Sequence, residues 1–187
     1  KDQTNDINCN IKMVVSNHKN LQNVADQFNI PRVYGDWQEL LEDNDINAVC
    51  IGTWPYMHNT VTLAALEKGK HVLTEARMAN TAQEAREMLA ASRRHPDLVC
   101  QLTPTSTTYK IDRLLQKLIS EGFLGELLSV EVQALQNRFA DINGELHWRH
   151  DRELSGHNTL NIGASYESMM RWLGRGNRVM AMSKIHV

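Results

Sequence analysis

Residues 47–75 read NAVCIGTWPYMHNTVTLAALEKGKHVLTE, and this stretch decides the fold. It opens on a continuous apolar run, Asn47 to Ile51, of the kind expected for a strand buried on both faces of a parallel sheet. Residues 57–68 then have helical character and end on Lys68 and Gly69, a basic residue and a glycine, which mark a helix C-terminus. His71 to Thr74 returns as a second strand. Strand, helix and strand joined by short links imply two parallel strands with the helix as the crossover.

The same rhythm extends in both directions. Upstream, residues 11–15 (IKMVV) read as a strand, and residues 19–28 place Leu21, Val24, Ala25 and Phe28 on one helical face before Asn29 and Pro31 stop the helix. Asp36 is placed to cap a short helix, with Glu39 three residues on and Leu40 and Leu41 facing inward. Downstream, Thr81 and Glu84 make a capping box for a helix lined by Ala82, Ala85 and Leu89, and Leu98 to Leu102 is a further strand. Residues 1–103 therefore read as a doubly wound α/β domain. After Pro104 the pattern changes. Ile111, Leu114, Leu115, Leu118 and Ile119 give residues 108–120 a strongly amphipathic helix, punctuated by Gly122 and Gly125. Residues 126–136 (ELLSVEVQALQ) look like a long strand, polar loop follows to about Ser155, residues 158–173 look helical, and 178–187 begin another strand. A domain boundary is expected near residue 104, with 104–187 an incomplete second domain, since one or two long strands do not make a stable sheet alone.

The bulk properties exclude several functions. Twenty Lys and Arg against 22 Asp and Glu leave a net charge of −2 with no basic stripe, which argues against a nucleic-acid partner. No apolar run approaches the ~20 residues of a membrane helix. Cys9, Cys50 and Cys100 are odd in number and lack zinc-ligand spacing, and Cys50 and Cys100 fall in strand-like runs. They read as buried thiols of a reducing cytoplasm.

In an open α/β sheet, ligands bind beyond the carboxyl ends of the strands. Four stretches occupy such positions. Ser16-Asn17-His18 follows the first strand, where an adenosine ribose would lie; Ser16 and Asn17 bring no negative charge, so a 2′-phosphate would not be repelled, and an ordinary polar turn is the competing reading. Thr53-Trp54-Pro55-Tyr56-Met57-His58 brings two large aromatics that can wall a flat ring, with His58 either at the site or on the helix surface. Glu75-Ala76-Arg77 brings a carboxylate and a guanidinium suited to ribose and phosphate, or to a simple surface ion pair. A dinucleotide domain would also open with a strand and G-x-G-x-x-G. Nothing before Ile11 has that pattern. Either the chain is a fragment beginning at the second strand or it does not bind a dinucleotide in the usual way, and the abrupt start favours the fragment.

Asp45 to Cys50 followed by Thr53 and His58, then Ala64-Ala65-Leu66-Glu67-Lys68-Gly69-Lys70-His71-Val72, Leu118-Ile119 with Gly122 and Leu124-Gly125, and Trp148-Arg149 together resemble the Gfo/Idh/MocA oxidoreductases, over nearly the whole chain. The resemblance implies a Rossmann domain, a C-terminal α/β domain with a large open sheet that often mediates homo-oligomers, and NAD or NADP as cofactor. It implies cofactor contacts for Ser16, Asn17, Thr53, Trp54, His58, Glu75, Trp148 and Arg149. It also exposes departures. Trp54 and Pro55 replace the Pro-Asn pair of the family's Thr-Pro-Asn-x-x-His, Ala76 stands where its catalytic lysine belongs and Arg77 where its proline belongs. Asn161 and Ser165 replace an aspartate and a histidine. Removing a hydride from a carbinol requires a base for the hydroxyl proton. Neither alanine nor asparagine serves, so His157 and Tyr166 are the substitute catalytic candidates, ahead of His147, His150 and Glu167. The leading expectation is an oxidoreductase for a small sugar, polyol or related substrate. The alternatives are a homologue that has lost catalysis and acts as a sensor or partner subunit, or a truncated product with no independent function.

Overall fold

A computed structural model describes residues 21–103, 109–135, 141, 143–157 and 160–184. The expected strand at 11–15, Ser16, Asn17 and Cys9 lie outside the described residues, as do 185–187. The elements run α1 (Leu21–Gln27), α2 (Trp37–Glu42), β1 (Ala48–Ile51), α3 (Pro55–Glu67), β2 (His71–Thr74), α4 (Ala82–Arg94), β3 (Cys100–Leu102) and α5 (Asp112–Ser120). A 3-10 turn (Trp148–His150), α6 (Arg152–Ser155) and α7 (Leu160–Leu173) complete them.

The three strands form one parallel sheet in the order β1-β2-β3, with Val49 opposite Val72 and Thr74 opposite Leu102. This is the α/β sheet expected from residues 47–75. Its ends are set by local chemistry. Pro55 occupies the first turn of α3, where its missing N–H is no loss. Gly69, at φ 69, turns the chain out of α3 so that Lys70 N–H bonds Ala65 O at 2.9 Å. Asp36 caps α2 by accepting from Glu39 N–H at 2.8 Å, and both halves of the Thr81–Glu84 capping box are formed. Asn29, at φ 52, ends α1.

The core lies on one face of the sheet. Val49, Ile51 and Val72 pack with Leu40 and Leu41 of α2, Val61, Ala65 and Leu66 of α3, and Ala91 of α4. Lys70 is buried beneath this layer, where its ammonium donates to Ile46 O at 2.6 Å and Asp43 O at 2.8 Å. These two carbonyls close the α2–β1 loop. Lys70→Met is expected to destabilise the protein by about 2 kcal/mol, because it leaves two acceptors unmet. A shift in urea midpoint with unchanged slope checks it.

Several expectations are corrected. β1 alternates exposed and buried residues, so it is not covered on both faces among the described residues, and Cys50 and Cys100 are exposed free thiols. α4 turns Met88 and Ala91 inward while Leu89 is 45% exposed and Ala82 is exposed, so its inner face lies one residue from the expected one. In α1 only Ala25 is buried, and Phe28, at the helix exit, faces solvent. Residues 126–135 and 178–184 form no strand among the described residues: a strand exists through its ladder of partner hydrogen bonds, and no described segment makes such a ladder with them. The polar stretch before Ser155, expected as loop, contains the 3-10 turn and α6, capped by Asp151 Oδ1 on Glu153 and Leu154 N–H.

α5 and α7 form a separate pair. Asp112 accepts from Trp172 Nε1 at 2.7 Å and pairs with Arg171 at 3.4 Å, while Gln116 Nε2 donates to Arg171 O at 2.8 Å.

Candidate active site at the strand ends

The carboxyl ends of β1, β2 and β3 open on one rim. After β1 come Thr53 and Trp54, after β2 Glu75, Ala76 and Arg77, and after β3 Thr103, whose Oγ1 accepts from Ala76 N–H at 3.2 Å. His58 ties the first two together. It is 1% exposed, and its Nδ1 meets Arg77 O at 2.7 Å while its Nε2 meets Thr53 O at 2.9 Å. Both flanking groups are backbone carbonyls, which only accept. The reading of His58 as a surface residue is corrected. Its ring faces backbone on both sides and fixes the loops after β1 and β2. The Ala76–Arg77 peptide is cis.

Residues 147–157 dock onto this rim from a distance of about eighty positions in sequence. Trp148 stacks on Trp54 with centroids 6.1 Å apart and planes 22° from parallel, and Tyr56 tilts against Trp54 at 6.5 Å. The Arg149 guanidinium lies 4.1 Å over the Trp148 ring. Arg77 reaches across to donate to His157 O and to Ser155 Oγ, both at 2.7 Å. Asn80 Nδ2 donates to Glu153 O at 3.2 Å. Gly156 sits at φ 58 against the Asn80 backbone, where an added Cβ would meet Asn80 O at 3.0 Å. Ser155 is fully buried in this contact. Burial, and then the like charge of Arg149, push the Arg77 guanidinium below its usual range.

The rim therefore gathers Thr53, Trp54, Glu75, Trp148, Arg149 and the His157 turn, with His58 beneath. Arg77 makes no ion pair with Glu75, so the simple surface pair is corrected. Glu75 is exposed, with its backbone N–H on Ile51 O at 3.3 Å. Tyr166 is not brought to the rim by any described contact; its hydroxyl lies beside Gly176, 3.3 Å from where a Cβ would stand. Ser155, Asn80 and Thr103 were not singled out by sequence. Their roles depend on hydrogen bonds between segments distant in the chain, and only the Asp151 cap before α6 carried a local signal.

Residues 2–109 match the family model described as "Oxidoreductase family, NAD-binding Rossmann fold", and residues 113–187 match the Gfo/Idh/MocA C-terminal domain. The chain belongs to the Gfo/Idh/MocA oxidoreductase family. It is 31% identical over 150 residues to levoglucosan dehydrogenase of Pseudarthrobacter phenanthrenivorans, covering 80% of this chain and 38% of that protein. It is 32% identical over 113 residues to trans-1,2-dihydrobenzene-1,2-diol dehydrogenase of Bos taurus, covering 60% and 33%. Among solved structures, levoglucosan dehydrogenase in complex with NADH and levoglucosan superposes with a TM-score of 0.70 at 25% identity, over 88% of this chain and 45% of that one. This chain thus spans less than half the length of these relatives.

The rim suits the family's cofactor. It holds an exposed carboxylate at Glu75, the Trp54–Trp148 aromatic stack and the Arg149 cation, the group types that ribose hydroxyls, a flat ring and a phosphate take. Among the described residues no group of three His, Cys, Asp or Glu is placed to hold a metal ion.

Proposed function

We propose that this chain is part of an NAD(P)-dependent oxidoreductase acting on a sugar, polyol or related small alcohol or carbonyl compound. The observation that carries the reading is the docking of residues 147–157 onto the strand-end rim through the Trp54–Trp148 stack and the Arg77 bonds to Ser155 and His157. That docking brings the Trp54–Trp148 stack, Arg149 and the His157 turn to the strand-end rim. Relatives named for levoglucosan, dihydrodiol and 1,5-anhydro-D-fructose support a ring-shaped polyhydroxy substrate. Residues 1–103 are read as the nucleotide-binding domain and 104–187 as part of a second, substrate and oligomerisation domain.

In this reading Thr53, Trp54, Glu75, Trp148 and Arg149 hold the cofactor, and Ser16 and Asn17 meet its adenosine ribose. His58 acts through the loops it ties. The nicotinamide supplies hydride acceptance or donation when bound. The chain supplies the proton transfer, and Ala76 removes the family's lysine from that task. His157 is exposed on the turn after α6, and Arg77 holds its backbone carbonyl. It takes the hydroxyl proton during oxidation and returns it during reduction. Tyr166, beside Gly176, is the secondary candidate. Free thiols at Cys50 and Cys100 support a cytoplasmic setting, and exposed Leu128, Val130, Val132 and Leu135 after α5 support a homo-oligomer. Among the described residues no helix is long and apolar enough to cross a membrane.

The test is turnover on a panel of levoglucosan and cyclic polyols, read by formation of reduced nicotinamide. His157→Ala is expected to lower kcat by about 100-fold with little change in cofactor affinity. Unchanged kcat would remove His157 from the mechanism. A second reading, a binding homologue without catalysis, is favoured by Ala76 itself, and cofactor binding without turnover on any panel member would establish it.

A further inference from the structure

Arg77 is tied at both ends. Its backbone carbonyl meets His58 Nδ1 at 2.7 Å, and the same ring meets Thr53 O at 2.9 Å, so the main chain at position 77 is anchored to the loop after β1. Its guanidinium donates to Ser155 Oγ and to His157 O, both at 2.7 Å and both about eighty positions further along the chain. The proline of the family pattern at this position would supply neither bond, since its ring carries no donor. The two acceptors flank Gly156, whose φ 58 and ψ −152 lie in a region open essentially to glycine. The turn is braced as well as bonded. Ser155 is fully buried, Asn80 Nδ2 donates to Glu153 O at 3.2 Å, and the Asn80 backbone lies against Gly156. His157 follows this contact directly and is exposed, with its backbone held on the rim through its carbonyl.

We propose that Arg77 is a positioning residue for His157: its guanidinium clamps the turn after α6 to the strand ends and so sets where the group that replaces the missing lysine comes to rest. This rests on the proposed role of His157 and adds what fixes it. A side chain on a free turn samples many positions, and a misplacement of about 1 Å costs up to about 100-fold in rate. A planar guanidinium holding two acceptors at once sets angle as well as distance, which a lysine ammonium on its flexible stem does not. Ala76 and Arg77 then belong together. Position 76 gives up proton transfer, and position 77 holds the residue that takes it over. A guanidinium does not exchange its proton in this pH range, so the effect of Arg77 passes through His157.

A double-mutant cycle in the full chain separates this from a merely structural role. Measured on the panel alcohol turned over fastest, Arg77→Gln is expected to lower kcat about 30-fold, less than loss of His157 itself, with KM and NADH affinity unchanged. In a His157→Ala background the same change is expected to alter kcat by less than about twofold, because its target is gone. Arg77→Lys is expected to recover part of kcat. Ser155→Ala, which keeps the bond to His157 O, is expected to lose only part, and it carries the test if Arg77→Gln does not fold. Unchanged kcat in Arg77→Gln, or an equal loss with and without His157, overturns the proposal. Unchanged kcat in His157→Ala alone is a different failure: the base is misassigned and the positioning role falls with it. Hydrogen exchange needs no turnover. The amides of residues 152–157 are expected to exchange about tenfold faster in Arg77→Gln, and exchange indifferent to the substitution overturns the clamp in an inactive protein too. Faster exchange in a protein that turns over no alcohol leaves the clamp standing while the redox reading fails.

Discussion

Replacing His58 with leucine is expected to lower stability by about 3 kcal/mol and to abolish nicotinamide cofactor binding. The side chain is 1% exposed, so the volume is kept, but both ring nitrogens are lost. Thr53 O and Arg77 O are then part-buried acceptors without this partner, and each such group costs about 1–3 kcal/mol. The stability loss alone does not distinguish this from other core substitutions. The second effect does. His58 is the link between the loops after β1 and β2, so its removal frees Thr53, Trp54 and Arg77 together. Chemical denaturation gives the first quantity and titration with NADH the second. A variant that loses the stability and keeps full cofactor affinity would show that His58 does not set the rim.

Gly156→Ala is expected to release residues 151–157 from the rim and reduce kcat/KM by about 100-fold. Gly156 combines φ 58 with ψ −152, a region open essentially to glycine, and L residues there cost about 1–3 kcal/mol. The new Cβ would also stand 3.0 Å from Asn80 O, a backbone atom that does not swing aside. The segment must then lift, which breaks the Arg77 bonds to Ser155 and His157. Gly163 provides the control. It lies in α7 with open space around it, so Gly163→Ala should be neutral or stabilise by about 0.5–1 kcal/mol. Steady-state kinetics and thermal unfolding of the two variants side by side check both statements.

The fold was legible where local chemistry sets it. Asp36, Thr81 with Glu84, Pro55 and Gly69 each act within a few residues, and the elements they bound appear in the structure close to where the sequence places them. Burial was less legible. The Asn47–Ile51 run is uniformly apolar, yet β1 has one open face among the described residues, because apolarity records what a strand tolerates and its neighbours decide what covers it. Leu89 and Met88 are adjacent on α4, and a one-residue rotation exchanged them. The site divided in the same way. Thr53, Trp54, Glu75 and Arg77 were visible as residues at strand ends. Their attachment to Ser155 and His157 was not, since it spans almost eighty residues and carries no periodicity. Arg77 illustrates the difference: sequence offered Glu75 as its partner, and the fold supplied a hydroxyl and a carbonyl instead.

The rim formed by residues 53–54, 75–77 and 147–157 is proposed as the nicotinamide site. Energy transfer from tryptophan to bound NADH or NADPH tests it most directly, because Trp54 and Trp148 form one wall. Saturable transfer is predicted, reduced in Trp148→Leu and unaffected in Trp172→Phe, whose indole lies at the α5–α7 pair. Absence of saturable transfer with either nucleotide, or transfer indifferent to Trp148, would contradict it.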